Sequence, residues 1–429
     1  MKRPNIERAL VVFFVAGVGF FIFAFVVTGA LPWFREQARI SGTPPAERKL
    51  LTLNAEQMRG RQLYMANGCD YCHSQFVRPV GDDPLRYGVP SEAWEYADQY
   101  PHLLGTRRIG PDLTREGGVH TNDWQYVHLY DARMIVPWSI MPGFSWMFRA
   151  GPSKPGPKAK AIVAYLQTLG RARRRELLRS GELKRRFIPG IGTVEIYAYH
   201  GGKLRDPGYD RLVYFKNGPQ PLRTVDRDDR GRMIYRYSCS GCHGASGNAD
   251  GAAANYLVPT PVRLSEFRFD PSFLYKVLYY GRPGTAMASM VHSFDSFLSP
   301  KDLWAVSDYV ASRGEAAGRR TSPGGSAGAG FAGPAGVSSR GKAAYATNCA
   351  ACHGIDGGGD GPAARALVPA PIDFRGMQPS AAWAYHAITE GRKGTAMASF
   401  RHLPKATRRA MAAYIRTFFK PMNAASGSR

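Results

Sequence analysis

Three things are scarce in this chain of 429 residues, and each scarcity removes a class of function. Cysteine is scarce: the six present fall into Cys69-Asp70-Tyr71-Cys72-His73, Cys239-Ser240-Gly241-Cys242-His243 and Cys349-Ala350-Ala351-Cys352-His353. No thiol is left for a disulfide, a zinc site or a nucleophile. Acidic residues are scarce, 33 against 57 Lys and Arg, a formal net charge of +24. That balance suits nucleic acid, anionic lipid or an acidic protein, but no helix-turn-helix, zinc-finger or aromatic ribonucleoprotein pattern accompanies it, so nucleic acid is not an expected partner. Large apolar side chains are scarce from 315 to 339, a Gly, Ala, Ser and Pro stretch that reads as a flexible linker.

Cys-x-x-Cys-His is the attachment pattern of c-type haem. Two thiols one helical turn apart add across the vinyl groups, and the adjacent imidazole reaches the iron. Three such motifs predict three covalently bound c-type haems, attached at Cys69, Cys72, Cys239, Cys242, Cys349 and Cys352, with His73, His243 and His353 as axial ligands. Their propionates offset part of the basic charge.

From Ala9 to Leu31 the residues are apolar apart from Thr28. As a helix this run is about 35 Å long, enough to span a bilayer. Lys2, Arg3 and Arg8 precede it, which places the N-terminus in the cytoplasm and everything after about residue 35 outside. No Ala-x-Ala site follows, so the run reads as an uncleaved anchor rather than a signal peptide.

The expected organisation is a membrane anchor at 1–34, a polar tether at 35–53, a first haem domain at 54–170, a connector at 171–227, a second domain at 228–314, the linker at 315–339, a third domain at 340–421 and a tail at 422–429. Asn54 caps a helix reciprocally with Gln57, which Gly68 stops before Cys69. The segment 161–170 supplies the closing helix. Arg171 to Arg186 reads as a basic helix that either touches anionic lipid or an acidic subunit, or is a solvated connector. From Thr193 to Asn217 the texture is β-type, in Val194 to Tyr197 and Leu212 to Phe215. Ser299-Pro300 opens the closing helix of the second domain, and Gly314 ends it. The fold class is mainly α.

The second and third domains repeat at a constant offset of 110, which carries Cys239 to Cys349, Gly281-Arg282 to Gly391-Arg392 and Met287 to Met397. Each haem iron needs a sixth ligand to shuttle electrons, and a thioether raises the potential. Met287 and Met397 lie in repeated Gly-Thr-Ala-Met loops. In the first domain Met141, in Ser-Ile-Met-Pro, is preferred to Met134 and Met147. The remaining histidines have no ligand spacing and read as structural.

From Gly60-Arg61 and Leu63-Tyr64 through Cys72-His73-Ser74-Gln75, Val77-Arg78-Pro79, Arg86-Tyr87-Gly88, Gly110-Pro111-Asp112-Leu113, His128-Leu129 and Met141-Pro142, the chain resembles the monohaem subunit of cbb3-type cytochrome c oxidases. The two later domains resemble monohaem class I cytochromes c. In that class a proline carbonyl accepts from the histidine Nδ1, which makes Pro111, Pro261 and Pro371 the candidates here. The resemblance implies an inner-membrane subunit with periplasmic haem domains. Its partners would be a membrane catalytic subunit of the haem-copper type, which reduces oxygen, a soluble cytochrome c or similar donor, and the bilayer. An electron-donating subunit of a nitric oxide reductase or another respiratory complex, and a multihaem peroxidase, are the alternatives.

Overall fold

The computed structural model describes residues 6–80, 83–105, 107–197, 227–291, 298–320 and 339–420. The apolar run lies in one continuous helix, Ile6–Gly42, the one helix among the described residues long and apolar enough to cross a membrane. Pro32 has no N–H to give the ladder, and the turn before it, Val26–Ala30, widens to a π-helix. Phe13, Phe14, Phe20 and Phe21 are exposed along its surface, as a lipid-facing helix requires. The polar segment 35–53 is largely helical. It continues the helix to Gly42, and Pro44-Pro45 opens a second one, Pro45–Leu51, with Pro45 at the helix start where a missing N–H costs nothing.

Each haem domain is framed by an opening helix and a closing helix that cross at a glycine. In the first, Ala55–Ala66 is held by the predicted capping box, Gln57 N to Asn54 Oδ1 at 2.9 Å and Asn54 N to Gln57 Oε1 at 3.0 Å. It packs on Pro157–Leu166, which starts and ends earlier than the pattern at 161–170 implied. A Cβ at Gly60 would strike the carbonyl of Ala161, and the same holds for Gly231 on Ala305 and Gly341 on Ala410. Only glycine lets these backbones approach so closely. Four residues on, Tyr64, Tyr235 and Tyr345 are buried against the closing helix or the haem motif. The second domain closes with Pro300–Arg320 behind a Ser299/Asp302 cap. Gly314 does not end that helix, which runs through it. The third domain runs from the helix Ser339–Asn348 to Lys405–Ile415.

The connector is a brace. Its helix stops at Ser180, ahead of Gly181 with φ +80°. Lys184, Arg185 and Arg186 belong instead to strand β1, Leu183–Ile188, which pairs antiparallel with β2, Gly192–Tyr197. The stretch around Leu212 lies outside the described residues. Four arginines of Arg171–Ser180 find partners within the chain: Arg171 donates to Leu50 O, Arg173 pairs with Glu92, Arg174 with Glu195 and Arg179 with Glu47, while Arg175 is exposed. The hairpin beyond packs Ile191, Val194 and Ile196 onto Val277 and Tyr280 of the second domain.

The second and third domains face one another across a pseudo-two-fold axis. Strand β3, Phe267–Phe269, pairs antiparallel with β4, Met377–Pro379, with Arg268 opposite Gln378. Those two residues are equivalent in the 110-residue repeat, so the axis passes between them. The flanking bonds obey the same symmetry, Asp270 N to Gly376 O at 2.9 Å and Ser380 N to Glu266 O at 2.7 Å.

Candidate haem sites

In the first domain the motif forms one short turn, Cys69–Cys72, and His73 leaves it extended. Nδ1 of His73 lies 2.8 Å from the carbonyl of Pro111. The residues after the motif hold that carbonyl in place. Asp112, fully buried, accepts from Ser74 Oγ at 2.6 Å, Phe76 N at 2.8 Å and Thr114 N at 2.9 Å. Arg108 closes the cluster on Ser74, the Phe76 carbonyl and Asp83. Tyr165 donates to Gln75 Oε1 at 3.0 Å. The His-Ser-Gln extension is therefore the clamp that fixes the histidine loop.

In the other two domains the acceptor is not the predicted proline. His243 Nδ1 lies 3.1 Å from the carbonyl of Val262 and His353 Nδ1 3.3 Å from that of Ile372, each one residue beyond Pro261 and Pro371. In the third domain Asp373 follows the acceptor as Asp112 follows Pro111, and it accepts from Arg375 N at 3.0 Å and Arg375 Nε at 2.9 Å. Val262 and Ile372 bury their side chains against the core and present their own carbonyls. Burial holds the His243 and His353 imidazoles below their usual pKa, which favours the neutral form that binds iron.

Each domain also carries a methionine loop. Met287 N donates to Thr285 Oγ1 and Met397 N to Thr395 Oγ1, both at 3.1 Å, and Met141 N donates to Ser139 Oγ at 3.2 Å. A hydroxyl two residues before the methionine thus shapes all three loops, a signal present in the sequence but not used above. Met141, Met287 and Met397 line the same cavity as His73, His243 and His353. Met134 and Met147 are not on its wall: Met147 is buried in the first core, and the Met134 carbonyl packs on Gly241.

That cavity is one connected space of about 890 Å³ running through all three domains. Its walls are mostly apolar, with Leu166 and Ile162 in the first domain, Leu278 and Val306 in the second, and Phe374 and Ile388 in the third. The residues fit three covalently held porphyrins. Cys, His and Met from each domain share the wall, and no group of three or more His, Cys, Asp and Glu among the described residues could hold a bare metal ion. Buried polar atoms await a partner there as well: His128 Nδ1 and Glu116 Oε2 have none in the protein. Burial drives the His128 pKa down to about 3. His120, Trp124 and His128 stack in sequence, with centroids 3.7 and 4.7 Å apart.

Asp83 gives the clamp a pH dependence. Burial alone would raise its pKa, but Arg108 and Arg78 outweigh burial and hold the carboxyl below its usual range. Its stabilisation is complete above the ordinary carboxylate pKa, roughly 3.9, and is lost as pH falls through the lower folded value. Asp83→Asn should therefore be less stable than the parent by a constant margin above about pH 4, closing below it, in thermal melts across pH. A gap that widens on acidification would contradict this.

A mainly helical chain with Cys-x-x-Cys-His turns and apolar cavities is a multidomain c-type cytochrome. Residues 4–156 match the family model described as cytochrome c oxidase, mono-heme subunit/FixO, residues 226–310 that of cytochrome c oxidase, cbb3-type, subunit III, and residues 338–418 that of cytochrome c. Its first part is thus similar to a cbb3-type oxidase monohaem subunit, and two segments similar to cytochrome c domains follow. It is 28% identical over 205 residues to the cbb3-type cytochrome c oxidase subunit CcoP of Azospirillum sp. (strain B510), across 43% of this chain and 60% of that one. It thus spans less than two thirds of that relative's length. The Kuenenia stuttgartiensis reducing HAO-like protein complex Kustc0457/Kustc0458 is 24% identical over 46% of this chain and 99% of its own, at a TM-score of 0.21, too low to speak to the arrangement.

Proposed function

We propose that this chain is a membrane-anchored relay of three c-type haems that passes electrons from a periplasmic donor to the catalytic subunit of a cbb3-type haem-copper oxygen reductase. Bound haem supplies one-electron exchange between Fe(III) and Fe(II). The chain supplies the rest: paired thioether anchors, His73 with Met141, His243 with Met287 and His353 with Met397 as axial ligands, and a dry apolar wall. The anchor Ile6–Gly42 keeps the first domain at the membrane, with the N-terminus cytoplasmic.

The observation that carries this reading is the serial arrangement of the three sites. The second domain touches both others. Its Cys242, Leu257 and Ala286 pack with Trp124, Val127 and Ile135 of the first domain, and its β3 pairs with β4 of the third. The order third domain, second domain, first domain therefore ends at the part that matches the oxidase monohaem subunit. The test is to isolate the native complex: haem b and copper in stoichiometric company support the reading, and their absence leaves a freestanding membrane cytochrome.

Ligand identity is tested separately. Met141→Leu should remove the thioether-to-iron absorption of one haem in three, whereas Met134→Leu and Met147→Leu should keep it. The opposite pattern reassigns the ligand.

A further inference from the structure

The repeat symmetry of the second and third domains is broken at one place. Arg282 and Arg392 are equivalent residues in the methionine loops, each reaching across the axis to the histidine loop of the other domain. Arg282 Nη2 donates to Ala370 O at 2.9 Å, and Arg392 Nη2 to Thr260 O at 3.4 Å. Both line the haem cavity, and among the described residues neither has an acidic partner. Their second contacts differ: Arg282 Nη1 donates to Gly190 O at 2.9 Å, at the tip of the β1–β2 hairpin, whereas Arg392 lies over the Trp383 ring at 5.2 Å.

The hairpin tip sits on one side of the axis. Gly190, with φ +75°, lies against Asp373 of the third domain and Phe273 of the second, and Gly192 against Ala370 and Pro283. Arg365 of the third domain lies over the Phe187 ring at 5.4 Å. The repeat has diverged where the tip lands. Gly359, whose Cβ would meet Gly190 N, corresponds to Ala249, which holds φ +56° on the uncovered side despite its side chain. The covered arginine is the more deeply desolvated: burial, then repulsion from Arg392, lowers its pKa to about 10. Arg282 is partly buried and lines the cavity. It remains a cation at neutral pH.

We infer that the hairpin makes the two distal haem sites unequal, pinning Arg282 between them as a partly buried cation that raises the reduction potential of one above the other. The inference rests on the three-haem reading above. Reduction adds one negative charge to a haem site. A cation in a low-dielectric setting favours that state more strongly than one open to water, so Arg282 outweighs Arg392. The connector thereby turns a duplicated pair into an ordered pair. Within the cavity, the haem propionates are the anionic groups of matching chemistry for both guanidinium groups.

The test is spectroelectrochemical titration of the full-length detergent-solubilised protein, after haem per chain has been counted for every variant. Arg282→Gln should lower the higher distal couple by at least tenfold in its reduction equilibrium, 59 mV for one electron, and narrow the split. Arg392→Gln should move its couple less, and Arg282→Lys should restore most of the parent value. Gly190→Ala, which displaces the tip and its carbonyl from Arg282 while both arginines stay in the sequence, should reproduce the narrowing. It decides the matter if Arg282→Gln loses a haem. Equal shifts for Arg282→Gln and Arg392→Gln, or an unchanged split in Gly190→Ala with three haems retained, would overturn the inference. Fewer than three haems in the parent would instead overturn the three-haem reading.

Discussion

Replacing Gly110 by Ala should cost the first domain its ordered histidine ligand while leaving the other two sites intact. A Cβ at that position collides with Cε1 of His73 and crowds both ring nitrogens. Neither side can retreat. The Gly110 N–H is bonded to Cys72 O at 2.9 Å, His73 N to Cys69 O at 2.9 Å, and His73 Nδ1 lies against Pro111 O. Overpacking of this kind costs about 1–3 kcal/mol, and here the strain falls on the iron ligand itself. The expected spectrum has one haem in three high-spin or lost. Three unchanged low-spin haems in Gly110→Ala would show that the loop can move aside.

Gly241→Ala should uncouple the first domain from the second without loss of haem. Gly241 lies inside the second haem motif, and a Cβ there would strike the carbonyl of Ile135 and crowd that of Met134. The equivalent residue in the third domain is Ala351, inside the third haem motif. The glycine is therefore demanded by the neighbouring domain and not by the motif. The same interface holds Val258 N on Asp123 Oδ2 at 2.6 Å and the Trp138 ring 3.9 Å from that of Tyr237. A clash costing about 1–3 kcal/mol weakens docking roughly 5- to 150-fold. Flash reduction of the distal haems should then show slowed oxidation of those haems by the first, with midpoint potentials unchanged. An unchanged inter-haem rate would mean that the electron does not cross at this contact.

Local features were legible in the sequence, and those set between domains were not. The Asn54/Gln57 box needs only residues three apart, and it formed as read. The methionine loops could be aligned because the repeat kept register. The proline assignment slipped by one residue in two domains, because which carbonyl a loop offers is set by how its side chains pack on the domain core, which spacing alone does not carry. Strand β1 was missed for a related reason: Lys184, Arg185 and Arg186 point to solvent on a hairpin whose apolar face is mostly on β2. The basic helix stayed open between an anionic or acidic partner and a solvated connector because the acidic residues it pairs with, Glu47, Glu92 and Glu195, are distant in sequence. The brace and the pseudo-two-fold axis depend wholly on such distant contacts.

The central claim is that Cys69, Cys72, Cys239, Cys242, Cys349 and Cys352 carry three porphyrins by thioether bonds. Intact mass spectrometry of the denatured, reduced chain tests it most directly, since covalent haem survives conditions that strip the non-covalent kind. The account predicts the polypeptide mass plus three haems, with no cysteine alkylated by iodoacetamide. A mass carrying two haems or fewer, or any of the six cysteines open to alkylation, contradicts it.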